Sequence, residues 1–164
     1  MCVGGLEVDA TGSVNVAARR DPMGYVGPGG FVDLTNAADV CIFAVSFATG
    51  ASIDVVDGKV SVKAPGRCKF LPSVQEIHFS GPAALAAGKK AFYVTHLGAF
   101  ELTKEGLKLI CVFPGVDVTA HIVEATSIKI VLPEGGASAV PIVPLDVVSG
   151  GDGYVKLLEK ELRI

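Results

Sequence analysis

The sequence lacks the short cysteine spacings that mark a metal or redox site. Its four cysteines, Cys2, Cys41, Cys68 and Cys111, are scattered along the chain, so no CxxC unit is present. Cys41 and Cys111 stand inside apolar runs, which is the pattern of small core residues. Thiols kept apart in this way are typical of a reduced cytoplasmic protein, and we expect that location.

The chain also lacks a long uncharged apolar run and a strong charge of either sign. No run reaches the ~18 residues that a membrane-spanning helix needs, and the net charge is only −3. We therefore expect neither a membrane span nor a nucleic-acid partner. Hydrophobic residues nevertheless make up 50% of the chain. This composition predicts either strands buried on both faces or an apolar surface covered by a partner.

The amino-terminal residues carry no secretory signal, since Glu7 and Asp9 interrupt the apolar stretch at once. The pattern predicts instead a strand over residues 2–9. It begins directly after Met1, without the loose residues that usually open a chain. This start predicts that the natural protein continues upstream of Met1.

Apolar periodicity and turn residues divide the rest of the chain into short elements. Residues 40–47 form a continuous apolar run of strand length, as in a sheet covered on both faces. Residues 81–88 predict a helix with proline near its start and glycine at its end. Residues 135–153 are rich in proline and glycine and indicate a linker or extended arm. The other predictions are an extended piece at 14–17, strands at 74–79, 91–95, 99–103 and 107–113, and helices at 31–38, 116–125 and 154–164.

A β-hairpin is predicted over residues 52–63. Two β-branched segments flank Asp57-Gly58, a pair that suits a two-residue turn with positive φ at both positions. In that register Val55 faces Val60, and Ile53 faces Val62, on one side of the hairpin. We expect this side to cover part of the core.

No group of residues has the spacing of a metal site. His78, His96 and His121 have no second histidine, cysteine or carboxylate at ligand spacing, so we predict no metal and treat them as surface or core residues. Glu101 lies between two apolar residues, and an alternating strand explains it without chemistry.

The most informative segment is the glycine loop, Gly24–Gly30 (GYVGPGG). Val32 stands where a dinucleotide fingerprint starting at Gly27 needs glycine or alanine, and no Gly-Lys-Ser/Thr of a Walker A loop follows. Two alternatives remain open. The loop is either a tight turn into a helix, or a segment whose amides at 29–31 hold a phosphate or a developing oxyanion.

Several motifs around this loop occur in a characteristic order. GSVNV at residues 12–16 is followed by VGPGGFVDL at 26–34, then by the hairpin, by YVT at 93–95 with AFELTKEGL at 99–107, and by FPGVDV at 113–118. In order and spacing they resemble the second half of family I coenzyme A transferases. The resemblance covers residues 2 to about 127 and is nearest to the propionate, acetate and acetoacetate type.

The resemblance implies an open α/β domain with a mixed sheet, flanking short helices and a β-hairpin. It also implies covalent catalysis, in which a glutamate carboxylate attacks an acyl-CoA thioester and then passes CoA to a short carboxylate as a glutamyl thioester. Carried over by position, the backbone amide of Gly29 or Gly30 is part of the oxyanion hole. Asn15 and Gly27, together with those two glycines, line or brace the substrate and CoA site. Coenzyme A is a substrate here, and no further cofactor is expected.

The chain departs from the family in what it contains. The family's nucleophilic glutamate lies in an E-x-G motif upstream of Gly4, outside this chain, and Glu7 matches a variable residue that we do not assign as nucleophile. We divide the chain into a CoA-transferase C-terminal-like domain at 1–134 and an extension at 135–164. Two hypotheses follow. One is a portion of a homo-oligomeric transferase, completed by an upstream half in the same or another chain. The other is a non-catalytic binding or assembly domain derived from that fold.

Overall fold

The strands and helices of the protein are short. The computed structural model describes residues 1–18, 24–149 and 152–162. The strands are β1 (Cys2–Gly4), β2 (Glu7–Asp9), β3 (Val14–Asn15), β4 (Val40–Ala44), β5 (Ala48–Thr49), β6 (Ser52–Val56), β7 (Lys59–Ala64), β8 (Arg67–Cys68), β9 (Phe70–Leu71), β10 (Lys90–Val94), β11 (Gly98–Thr103) and β12 (Gly106–Val112). The α-helices are α1 (Phe31–Ala37), α2 (Gly81–Ala86), α3 (Leu145–Ser149) and α4 (Asp152–Leu162). Within these residues, no helix has the length and apolar character to cross a membrane.

A mixed sheet with the strand order β1-β4-β10-β11-β12 forms the centre of the described residues. Strand β4 pairs in parallel with β1 and β10, whereas β11 is antiparallel to β10 and β12. Cys41 and Phe43 of β4 are fully buried, as the continuous apolar run predicts. Cys111 on β12 is only half-buried. The predicted open mixed α/β sheet with short helices is confirmed.

A smaller sheet has the strand order β3-β2-β9. Its residue Phe70 packs against aromatic residues of the central sheet and of the segment that follows β4. Phe70 of β9 lies 4.9 Å from Phe47 and 5.1 Å from Phe100, measured between ring centroids. All three rings are almost completely buried. This aromatic cluster joins the two sheets through the apolar area that it removes from water.

The single strand predicted over residues 2–9 is wrong, because the segment divides between the two sheets. Strand β1 ends at Gly4, and β2 begins at Glu7. At Gly5, between them, a Cβ would stand 2.8 Å from Cγ1 of Val45. The chain therefore changes sheet at a point too tight for a side chain.

The strand predicted at 74–79 is not formed. Only Phe79 pairs, through an isolated bridge to Val14. The amides of His78 and Phe79 both donate to the Val14 carbonyl, at 2.9 and 3.2 Å. Within the described chain the preceding residues have no strand to pair with, so their apolar pattern produces a loop. The helix predicted next is confirmed as α2, capped by the Ser80 hydroxyl, which accepts from the Ala83 amide at 3.3 Å.

The predicted hairpin is confirmed as β6 and β7. Asp57 and Gly58 have φ of 51° and 70°, and Val55 pairs with Val60 as expected. The hairpin covers the core less than expected. Val60 is buried, but Val55 is 54% exposed.

The carboxyl-terminal third contains more regular structure than the predicted linker or extended arm. The helix predicted at 116–125 is shorter than expected, a π-helix over Thr119–Val123, and a 3-10 helix spans Gly136–Ala139. Within the predicted arm, Val140 is buried, and the Val143 amide donates to the Val112 carbonyl at 2.8 Å. The arm therefore follows the edge of the central sheet before α3. The terminal helix is confirmed as α4 over its described residues.

Candidate functional site

The backbone of the glycine loop needs glycine at particular positions. Gly27 and Gly29 have φ of 80° and 54°, the left-handed region that side chains disfavour. The Phe31 amide donates to the Pro28 carbonyl at 3.1 Å, which closes a turn directly before α1. Gly30 has an ordinary φ of −82°. Only the first two of these positions, therefore, are restricted by backbone conformation.

The space above the loop is open. A Cβ added at Gly27 or Gly29 would meet nothing within 4 Å, and one at Gly30 would only touch the Leu34 side chain at 3.7 Å. Within the described chain, no other group approaches the backbone of Gly27 or Gly29 closely, although the glycines suggest such an approach. In the same residues, neither the Gly29 nor the Gly30 amide donates a hydrogen bond to the protein. Both amides are thus available to an outside acceptor.

Asn15 is buried and braces the approach to the loop. Its Nδ2 donates to Oε2 of Glu7 at 2.9 Å and to the Ala18 carbonyl at 2.7 Å. Its Oδ1 accepts from the amides of Ala17 and Ala18, both at 3.0 Å. The Val26 amide then donates to the Ala17 carbonyl at 3.0 Å. Of the two roles expected for Asn15, its contacts are those of a brace.

A cleft of about 510 Å³ opens beside this brace. Its floor includes the paired strands β5 and β8, where Thr49 faces Arg67. A second cleft of about 420 Å³ shares Thr49 and contains His96. The first cleft is lined by Leu6, Glu7, Ala18, Thr49, Arg67, Cys68, Lys69, Leu71, Pro72 and Ser73.

The three histidines differ in their surroundings. Burial lowers the pKa of His96, and the nearby Lys69 charge lowers it further. Nδ1 of His78 accepts from the Val16 amide at 3.4 Å, and Nδ1 of His121 accepts from the Asp117 amide at 3.0 Å. The described residues hold no group of three or more metal-ligating side chains.

Sequence reasoning missed the role of Glu7 in this site. Glu7 lies opposite Asn15 in the antiparallel pair of β2 and β3, and its side chain is only 8% exposed. A buried glutamate needs a polar partner. The turn at 9–13 folds β3 back beside β2, so its register could have predicted that partner.

Known coenzyme A transferases match this chain in sequence. The chain is 33% identical over 122 residues to a caffeate CoA-transferase of Acetobacterium woodii and 35% identical over 120 residues to the acetate CoA-transferase YdiF of Escherichia coli K12. Each alignment covers 72% of this chain, but only 23% and 22% of those proteins. The chain thus corresponds to less than a quarter of the length of these relatives. No protein-family model matches it.

Solved structures show the same relationship. The YdiF apoenzyme of Escherichia coli O157:H7 superposes with a TM-score of 0.82 at 28% identity, covering 92% of this chain and 28% of that one. The decarboxylase AibA/AibB shares the fold alone, with a TM-score of 0.64 and 21% identity over 96% of this chain and 54% of that one. The chain is therefore homologous to the C-terminal portion of family I coenzyme A transferases, which confirms the resemblance seen in its motifs.

Proposed function

We propose that this chain is part of a CoA-transferase that moves CoA between a short-chain acyl-CoA and a carboxylate. The glycine loop carries this proposal. Gly29 and Gly30 present two amides with no acceptor among the described residues, below open space, in a chain homologous to such enzymes. Backbone amides without an acceptor can donate to the oxyanion formed when a thioester carbonyl is attacked.

The proposed reaction uses a glutamate from outside this chain. Its carboxylate adds to the acyl-CoA carbonyl and expels the CoA thiolate, which leaves a mixed anhydride. The thiolate then attacks the glutamyl carbonyl, releasing the acyl carboxylate and forming a glutamyl-CoA thioester. A second carboxylate reverses these steps and leaves as the new acyl-CoA. Glu7 does not suit the role of nucleophile, because its Oε2 accepts hydrogen bonds from Asn15 Nδ2 and from the Gln75 amide at 3.1 Å.

The proposal includes a partner that completes the site. The relatives are about four times longer than the matched segment. Around the loop, Tyr25 is 59% and Val26 57% exposed, an apolar surface suited to burial against another protein segment. We propose that this partner is the upstream transferase half, in the same or another chain, within a cytoplasmic homo-oligomer.

Trapping of the covalent intermediate tests this function. The chain is incubated with acetyl-CoA, alone and together with the upstream half of its own transferase, and each protein is analysed by mass spectrometry after digestion. We expect a CoA thioester on a glutamate of the upstream half, and none on the chain alone. An adduct on a residue of this chain would place the nucleophile here instead.

A non-catalytic binding or assembly domain is the second candidate. The observation in its favour is that Glu7, the buried carboxylate beside Asn15, is held in hydrogen bonds. Absence of any thioester in the mixture, with both proteins folded and associated, would favour this second function.

A further inference from the structure

Glu7 and Asn15 form a buried polar pair across two adjacent strands. The two residues lie directly opposite each other in β2 and β3, and they are 8% and 0% exposed. The Asn15 side chain uses both of its N–H donors and accepts two backbone amides on its oxygen. The two donors and two lone pairs of the asparagine amide are therefore all used in hydrogen bonds.

The carboxylate of Glu7 supports the orientation in which the Asn15 amide is held by Ala17 and Ala18. An ionised carboxylate only accepts hydrogen bonds, so the side of Asn15 that faces Glu7 must be its NH₂ group. In the same orientation the Oδ1 atom faces the amides of Ala17 and Ala18, at 3.0 Å from each. Without Glu7, this orientation loses a charge-assisted hydrogen bond.

Asn15 in turn fixes the entry to the glycine loop. Ala17 accepts the Val26 amide at 3.0 Å, and Ala18 forms a bridge with Tyr25. Val26 is followed directly by Gly27. The backbone that receives the loop is therefore the same backbone that Asn15 holds in place.

We propose that Glu7 is a positioning residue that acts through Asn15 to hold the glycine loop in its productive conformation. The consequence for catalysis rests on the proposed transferase function, whereas the effect on loop order does not. Glu7 also accepts the Gln75 amide and makes a further interaction, so a variant affects more than one contact. A matched control is therefore needed.

Asp9 provides that control, since it is a second buried carboxylate on the same strand. Its Oδ1 accepts from the amides of Thr11 and Ser13, at 2.9 and 3.0 Å, in the turn between β2 and β3. Amide hydrogen exchange is compared in Glu7→Leu, Glu7→Gln and Asp9→Asn. We expect exchange at Ala18 and Val26 to rise about 10-fold or more in Glu7→Leu, with partial rescue in Glu7→Gln. In Asp9→Asn the rise should be confined to Thr11 and Ser13.

Equal exchange at Val26 in the Glu7 and Asp9 variants, at equal loss of stability, would overturn the proposal. If Glu7→Leu does not fold, hydrogen exchange at Val26 is compared between Glu7→Gln and Asp9→Asn, and the same criterion applies. A second readout uses the transferase assembled with its upstream half, where Glu7→Gln should lower kcat and leave the KM for acyl-CoA nearly unchanged. If the unmodified assembly has no transferase activity, the proposed function fails, while the exchange result still decides the role of Glu7.

Discussion

Phe31 packs on Phe43 with their ring centroids 5.9 Å apart. Phe31 is the first residue of α1, directly after the glycine loop, and Phe43 is completely buried in strand β4 of the central sheet. Phe43 also stacks on Tyr93 at 5.4 Å. This contact attaches the end of the glycine loop to the core, while Val26 attaches its start to the backbone near Asn15. The loop is therefore held at both ends, below open space.

Substitutions at Gly29 and Gly30 should lower turnover for different reasons. A side chain at Gly29 strains the backbone and occupies the space above the loop, whereas one at Gly30 only occupies that space. In the assembled transferase, Gly29→Val should lower turnover by about 100-fold or more, because it turns the amide away and fills the space above it. Replacement of Gly30 by valine should have a similar effect, and Gly30→Ala should fold normally, since its φ of −82° suits any residue. Initial rates of thioester formation, followed by mass spectrometry, measure the loss.

Gly88→Val is the matched control for these variants. Gly88 also has a positive φ, of 72°, and open space around it, but it follows α2. It should lose stability as Gly29→Val does and keep its turnover. If the folded loop variants form the thioester at the normal rate, the glycine loop is only a turn.

The isolated chain should self-associate through the apolar surface at the glycine loop. Tyr25, Val26 and Leu34 are each more than half exposed there. Light scattering over a concentration series should show association, which the double variant Tyr25→Ser, Val26→Ser reduces. The control changes Val55 and Val56, which are equally exposed on the hairpin, to serine. A monomer at high concentration, or an equal effect of the control, would contradict this prediction.

His96 should make the protein less stable in mild acid. Burial and Lys69 lower the pKa of its imidazole in the folded state, so the unfolded chain binds a proton at higher pH. As the pH falls through about 6.5, the unfolded value, the free energy of unfolding should decrease until the folded pKa is passed. In His96→Gln this part of the decrease should disappear. Urea titrations between pH 8 and pH 5 measure it, and parallel curves for the two proteins would exclude the effect.

Lys89 should stabilise the carboxyl end of α1. Its Nζ donates to the carbonyls of Thr35, at 3.1 Å, and Ala38, at 3.0 Å, and also to that of Asn36. A cation at this end of a helix binds carbonyls that lack helical partners. Lys89→Met should lower the free energy of unfolding by about 1–2 kcal/mol, measured by urea denaturation. The neighbouring and exposed Lys90, changed to methionine, is the control and should have little effect.

Features that depend on neighbouring residues can be predicted from the amino-acid sequence. Asp57-Gly58 predicts its turn because few dipeptides accept positive φ at both positions. The apolar run at 40–47 predicts a buried strand, and the ordered motifs from Gly12 to Val118 identify the family. Gly29, Gly30 and Asn15 were selected in the same way. The structure connects Asn15 to the start of the loop through Ala17.

Which segments pair and which polar groups meet depends on the folded arrangement of the whole chain. The apolar pattern at 74–79 predicts a strand, but a strand also needs an adjacent edge, and Val14 provides only an isolated bridge to Phe79. The break after Gly4 depends on Val45, which is distant in sequence. Glu7 gained a role only when β3 folded back and placed Asn15 beside it. Local conformational preference is encoded within a few residues, whereas pairing and burial depend on residues that only the folded chain brings together.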